Sequence, residues 1–353
     1  MTGDEQCAEP FCYADGDEVP PGEKHHLQHS IGKTYLGNPI EFPITIINGS
    51  HPGPRIFLSA AVHGDELNGV KVLQEVAAEY DPTEIHGTIV CLHVLNVPGF
   101  VAQQRYIPVY DQDLNRAFPG RRRGTTASRM ADEIYQQFIS QCDVGIDFHT
   151  STRHRTTLFH VRGAMNNQEI ERLAFAFGTN VIISSTGSDG MLRTVATNDG
   201  IPTITVELGK AHRFQPLLIA KALNGVESVL AEYGLLPHTP VDWPGWYRVI
   251  DAKDEKRWIR ADVGGLVDME WGPFPFVYEG DPICTISDHF KRETRTVTSP
   301  VTGLIVGFLE NPIAFPGHPL CHVVQTDRST RREIEAEIRR GEFDGYGTAH
   351  SLE

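Results

Sequence analysis

Positive charge is in short supply in this chain: 31 lysines and arginines stand against 46 aspartates and glutamates, a formal net charge of -15 over 353 residues. A nucleic-acid backbone or an anionic membrane would repel it, so neither is an expected partner. An anionic small molecule stays within reach, because the field in a pocket is set by neighbours within a Debye length, about 8–10 Å. Cysteine is scarce too, with six residues at positions 7, 12, 91, 142, 284 and 321 and no C-x-x-C pair. That excludes a dense disulfide framework and predicts reduced, mostly buried thiols. No apolar run approaches the roughly 20 residues of a membrane span, and the opening MTGDEQC is acidic where a secretory signal is basic, then apolar. A cytoplasmic enzyme is the simplest expectation.

What is present is an alternation of two periods. PIEFPITIING and RIFLSAAV read as strands, after which ELNGVKVLQEVAAEY sets Val72, Leu73, Val76 and Tyr80 on one helical face. TIVCLHVLN, DVGIDFH, NVIISS and IPTITVELG are further strand-like runs, separated by helix-like ASRMADEIYQQFI and NQEIERLAFAFG and closed by LLIAKALNGVESVLAEYGLL. Apolar strands alternating with amphipathic helices predict the α/β class, a sheet covered on both faces with its site at the carboxyl ends of strands. Residues 1–35, polar and punctuated by Pro20 and Pro21, are expected to form a loose arm. Residues 36–238 would form the catalytic α/β domain, 239–327 a small all-β domain, and 328–353 a charged tail with a surface helix. The β region carries a weak internal repeat in which Gly265 matches Gly303, Gly280 matches Gly317 and Cys284 matches Cys321. Two similar units about an approximate twofold are expected. This arrangement is similar to the biotinyl/lipoyl-type hammerhead, whose carrier lysine sits between the halves. Lys291 lies there in KRETR, without an M-K-M or D-K-A context, and a solvated loop lysine is the expectation.

The stretch RIFLSAAVHGDELNG, residues 55–69, ends a strand in a turn bearing His63, Asp65 and Glu66. An H-x-x-E spacing lets one turn aim an imidazole and a carboxylate at one cation, although a capped surface turn reads the same way in isolation. His149 ends the strand CDVGIDFH and can complete a His/Glu/His set with a fourth position left for water. Zinc in such a site lowers the pKa of bound water to about 7 and polarises a carbonyl. Glu207, closing PTITVELGK, is placed to carry the proton from water to a leaving amine, with a salt bridge to Lys210 as the alternative. Between them, RYIPVYDQDLNRAFPG offers Arg105, Asn115 and Arg116 as donors to carboxylate or carbonyl oxygen.

In this order, HGDE, DLNRAFPG, DFHT and VELG resemble the succinylglutamate desuccinylase/aspartoacylase branch of the zinc carboxypeptidase superfamily, over roughly residues 36–327 and within its bacterial deacylase subgroup. The resemblance implies a zinc-carboxypeptidase-like mixed sheet flanked by helices, with a barrel-sandwich-like C-terminal domain that narrows access to the site. It implies one zinc per chain on His63, Glu66 and His149, and Glu207 as general base. It also implies that Asn115 and Arg116 hold substrate and that Arg105 polarises the scissile carbonyl. The chain departs from aspartoacylase in three extra residues, PVY, between RYI and DQDLNR, and in DFHTSTRHRTT, where Arg155 is a candidate substrate contact. Asp147, two residues before His149 on the same strand face, is a candidate acceptor behind a ligand histidine, and Asp65 is the alternative. The expected reaction is hydrolysis of a small, carboxylate-bearing N-acyl amino acid or related N-acyl amine, with zinc-bound water as nucleophile. A zinc carboxypeptidase acting on peptides and a non-enzymatic carrier module with structural zinc are the competing readings. Homo-oligomerisation is left open by the sequence.

Overall fold

A computed structural model describes residues 8–14, 16–108, 110–152, 154–237, 247–251, 256–269, 275–326, 328–340 and 345–346. A hairpin of β1 (Phe11–Tyr13) and β2 (Asp17–Val19) leads into β3 (Glu23–Lys33), β4 (Pro39–Asn48) and β5 (His51–Ala60). The chain continues through α1 (Asn68–Glu79), β6 (His86–Leu92), α2 (Val97–Val101), α3 (Thr126–Ile134), β7 (Val144–His149), β8 (Arg155–Thr157) and β9 (His160–Gly163). Then follow α4 (Gln168–Phe177), β10 (Val181–Ser184), α5 (Leu192–Asn198), β11 (Thr203–Glu207), α6 (Pro216–Glu232) and β12 (Arg248–Asp251). The remainder is strand-rich: β13 (Lys256–Arg260), β14 (Gly265–Met269), β15 (Phe276–Val277), β16 (Pro282–Ser287), β17 (Thr294–Thr298), β18 (Gly303–Leu309), β19 (Ile313–Ala314) and β20 (Pro319–Gln325), closed by α7 (Arg328–Arg340).

Nine strands form the main sheet in the order β12-β10-β9-β11-β7-β5-β6-β4-β3. The central β11, β7, β5 and β6 run parallel, whereas β9 against β11 and β3 and β4 at the far side are antiparallel, which makes the sheet mixed. Both faces are apolar, as continuous hydrophobic strands require. Ile56, Leu58 and Ala60 of β5 pack with α1, α4 and α6, while Phe57 points into the opposite core with Met130, Ile134 and Phe138. No helix among the described residues is long and apolar enough to cross a membrane.

The expectation of a loose arm over residues 1–35 is overturned for much of that span. β3 pairs with β4 along nearly its full length, from Glu23↔Asn48 to Lys33↔Pro39, and Phe11 and Val19 are fully buried. An edge strand with one solvated face reads as polar in sequence: His25, Leu27, His29 and Ile31 are half-buried, with their neighbours in the strand exposed or half-exposed. His29 anchors it, with ring centroids 5.3 Å from Phe42 and 5.1 Å from Phe138.

The expected boundary at 238 falls outside the described residues, but the strands on either side are exchanged across it. β12 lies beyond it in sequence and pairs parallel to β10 in the main sheet. β8 lies before it and pairs with β18 of the C-terminal sheet, through Thr157↔Gly307 and Arg155↔Leu309. Leu158, Val181 and Ile183 share one buried cluster with Phe276, Leu304, Val324 and Ile334, so an apolar core joins the two parts. Within the C-terminal part the repeat is real. Phe276 and Val277 pair with Leu304 and Gly303, and Ile313 and Ala314 pair with Leu266 and Gly265, so each half lends a short strand to the other in the same register. Lys291 is exposed in the turn between β16 and β17. Helix α7 is pinned by fully buried Ile334.

Candidate functional site

Three parallel strands deliver the site. β11, β7 and β5 are neighbours, Glu207 and His149 stand opposite each other at the ends of β11 and β7, and the turn after β5 carries His63 and Glu66. That turn starts with Ala61 in the left-handed region at φ 49°, a strained conformation for a residue with a side chain. It is fixed by hydrogen bonds that the Leu95 and Asn96 amides donate to the Ala60 and Ala61 carbonyls, at 3.1 and 2.9 Å. At Gly64 a Cβ would lie 2.0 Å from the carbonyl carbon of Gly99, so only glycine fits there.

The structure brings the expected ligands together. His63, Glu66 and His149 are all buried, and one ligand atom from each lies within 4.8 Å of the others. Glu66 Oε1 is 2.8 Å from His63 Nδ1, and Glu66 Oε2 is 3.0 Å from His149 Nδ1. Burial pushes the Glu66 carboxyl up, but the two imidazoles outweigh it and hold the group well below the usual carboxylate range. Two imidazole nitrogens and one carboxylate are a donor set that fits zinc. No further His, Cys, Asp or Glu joins this group among the described residues.

Support comes from behind. His149 Nε2 lies 2.8 Å from Asp147 Oδ2, and Asp147 Oδ1 accepts a 2.8 Å hydrogen bond from the Ser59 hydroxyl. This is the arrangement expected of Asp147. Asp65 lies elsewhere: its Oδ2 is 3.7 Å from His212 Nε2, and its backbone carbonyl accepts from the His212 amide. The acid facing His63 is Asp113, with Oδ1 3.3 Å from Nε2. Sequence reasoning missed Asp113, although it caps the DLNR turn by accepting from the Asn115 amide at 2.9 Å.

The other candidates line the same cavity, of about 410 Å³, together with the ligands. Arg105 reaches Glu66 Oε1 with Nη1 at 3.1 Å. Asn115 is buried, its Oδ1 accepting from the Leu192 amide at 2.9 Å, while Arg116 is about half exposed beside it. Glu207 is paired with Arg162, Nε to Oε1 at 3.0 Å, and not with Lys210, which pairs with Glu310 just beyond β18. The same Arg162 Nε also approaches His160 Nε2 at 3.1 Å. Arg162 was missed too, although an arginine inside the strand HVRG is a visible signal. Arg155 lines the cavity on the side built by the C-terminal strands, where Lys256, Trp258, Phe308, Leu320 and His322 close it. Arg193 from α5 is buried against the Ser185 carbonyl, with Nη1 to O at 2.9 Å.

These features define an α/β protein of mixed sheet with a strand-end His-Glu-His centre under a β-rich roof. The chain belongs to the succinylglutamate desuccinylase/aspartoacylase family, a deacylase family: the family's catalytic-domain model matches residues 52–233. Succinylglutamate desuccinylase of Burkholderia cenocepacia is 30% identical over 282 residues, 72% of this chain and 80% of that protein. N-alpha-acetyl-L-2,4-diaminobutyric acid deacetylase of Halomonas elongata is 24% identical over 295 residues, 79% of this chain and 84% of that protein. Among solved structures, the product-bound ectoine utilization protein EutE (DoeB) from Ruegeria pomeroyi has the same fold, with a TM-score of 0.79 at 21% identity over 90% of this chain and 99% of that one.

Proposed function

We propose that the protein is a zinc-dependent hydrolase that removes the acyl group from a small N-acyl amino acid. The observation that carries this reading is the convergence of His63, Glu66 and His149 with Glu207 at adjacent strand ends, in a chain of a deacylase family. His63, Glu66 and His149 would hold zinc, which when bound polarises a carbonyl and makes water a usable nucleophile at neutral pH. Glu207 takes the proton of the attacking water and passes it to the departing amine, and Arg162 fixes the direction of its carboxylate. Arg105 faces the ligand group and donates to the oxygen that gains charge as the carbonyl is attacked. Asn115 and Arg116 hold a substrate carboxylate at the rim. A cavity of about 410 Å³, closed on one side by C-terminal strands, suits a small amide and disfavours a peptide chain.

The test is an assay of zinc-loaded protein against N-acetyl and N-succinyl amides of acidic, neutral and basic amino acids. Hydrolysis of at least one class is expected, with kcat reduced about 100- to 10,000-fold in Glu207→Gln and KM little changed. An inert panel, or Glu207→Gln as active as the parent, rejects the reading.

A further inference from the structure

Behind the site lies a buried clasp of two side-chain amides to which the reaction above gives no task. Asn68, the first residue of α1 and two residues after Glu66, is fully buried, and Gln215, just before α6, is 4% exposed. Asn68 Oδ1 accepts from the Gln215 backbone amide at 2.9 Å, and Asn68 Nδ2 donates to the Leu208 carbonyl at 2.7 Å and to Gln215 Oε1 at 3.2 Å. Gln215 Oε1 also accepts from the Lys210 amide at 2.7 Å. Leu208 and Lys210 flank Gly209 in the turn that follows Glu207. That glycine has φ +71°, and a Cβ on it would lie 2.2 Å from Gln215 Oε1. The turn also meets the ligand strand, where the Leu208 amide donates to the His149 carbonyl at 2.8 Å. The amide pair thus grips the chain just after a metal ligand and just after the base.

The remaining donor of the clasp, Gln215 Nε2, reaches the Tyr346 carbonyl at 2.7 Å, 131 residues further along the sequence. Tyr346 stands in the stretch expected to be a charged tail, yet it is 6% exposed and lies in the core that joins the two parts. Its ring meets Phe308 edge-on with centroids 5.6 Å apart, and its hydroxyl donates to the Ile305 carbonyl at 2.5 Å. The Gly345 carbonyl accepts from the Phe159 amide at 2.7 Å. Backbone partners dictate how both side-chain amides face: each oxygen meets a backbone N–H and each nitrogen a backbone carbonyl. A buried amide nitrogen without an acceptor is costly, so Gln215 keeps this orientation only while the Tyr346 carbonyl is in place.

We infer that Gly345 and Tyr346 form a strap that sets the catalytic groups from behind, with Tyr346 as a positioning residue acting through the Gln215–Asn68 amide pair on the turn after Glu207 and on the start of α1 after Glu66. The inference rests on Glu207 as general base in the proposed reaction. With the strap seated, Gln215 holds Lys210 and Asn68 holds Leu208, which fixes Glu207 relative to Glu66. With the strap released, Gln215 Nε2 turns to another acceptor, Oε1 leaves the Lys210 amide, and the two elements uncouple. A misplacement of about 1 Å at the base costs about 100-fold in rate. Asn115 and Arg116 are held elsewhere, by the Leu192 amide and beside Asp113, so turnover suffers and substrate binding does not.

The test compares the full-length, zinc-saturated parent with Tyr346→Ala, Tyr346→Phe, Gln215→Met and the Tyr346→Ala/Gln215→Met pair, on an N-acyl amino acid that the parent hydrolyses. In Tyr346→Ala and in Gln215→Met, kcat is expected to fall about 10- to 100-fold with KM within about twofold of the parent. Tyr346→Phe keeps the ring and the backbone carbonyl, and its kcat is expected to stay within about threefold. Because both residues act through one link, the pair should be no slower than the slower single variant. Hydrogen exchange gives a readout apart from turnover. In Tyr346→Ala the Lys210 amide should exchange faster by about tenfold more than the Ile146 amide of the central strand β7, which reports the fold as a whole. If no amide is hydrolysed, the general-base reading fails while the exchange result still decides whether Tyr346 holds the turn. Lys210 and Ile146 accelerated equally, losses that add in the pair, or a loss confined to KM overturns the inference.

Discussion

Two imidazoles and a guanidinium share the single carboxylate of Glu66, and the Thr150 amide donates to Oε2 at 3.0 Å as well. A carboxylate held ionised from several sides is ready to meet a cation, but its aim depends on how the imidazoles are oriented. Asp147 sets the ring of His149 and is itself held by Ser59. Replacing Asp147 by Asn keeps the shape and removes the charge. We expect metal affinity to fall about 10- to 100-fold, measured by competition with a chromophoric chelator. An affinity equal to that of the parent would deny Asp147 this role. Asp113 stands to His63 as Asp147 stands to His149, but at 3.3 Å and on a short turn between α2 and α3, so its hold is weaker.

At the scale of elements, the site depends on a strand of three residues. β8 begins six residues after His149 and is zipped to β18, with the Leu158 amide donating to the Val306 carbonyl at 2.8 Å and the Thr157 hydroxyl to the same carbonyl at 2.8 Å. Leu158 then enters the core that joins the two parts. Leu158→Ala is expected to lower unfolding stability by about 2–5 kcal/mol, read from the denaturation midpoint. A loss under 1 kcal/mol would mean that this core is peripheral to stability. The main sheet was legible because IFLSA, GIDFH and TITVE are apolar runs that only a doubly covered sheet accommodates. His63, Glu66, His149 and Glu207 were legible because strand ends are where such a sheet gathers polar groups. β8 was not, since RTT has no hydrophobic pattern and its pairing depends on a partner about 150 residues away. Lys256 and Trp258 were hidden for the same reason: nothing local ties them to the site, and only the exchange of strands brings them there. β3 is hidden within the expected loose arm because an edge strand with one wet face has the composition of a loop.

At the scale of the molecule, burial keeps three histidines neutral, His160 and His322 in the interior and His93 half-buried. Burial depresses His93 to about 4 and His322 to about 2, and holds His160 well below its ordinary value. Because these folded values lie below the unfolded value of about 6.5, the unfolded chain binds more protons under mildly acid conditions. The stability they allow is intact above about 6.5 and is lost as pH falls toward 4, before most carboxylates titrate. Urea midpoints between pH 7.5 and 5 should fall with acidity, more gently in His93→Asn than in the parent. A midpoint independent of pH over that window would contradict the burial of neutral imidazoles.

The exchange of β8 for β12 also bears on aggregation. A chain ended near residue 237 would lack the partner of β8 and the strand that covers β10, leaving both with open backbone edges. It would uncover Leu158, Val181 and Ile183 as well. Sticky apolar surface beside unpaired strand edges is the template on which copies of a protein add to one another. In this fold the C-terminal strands therefore cover those edges and apolar side chains as well as lining the pocket.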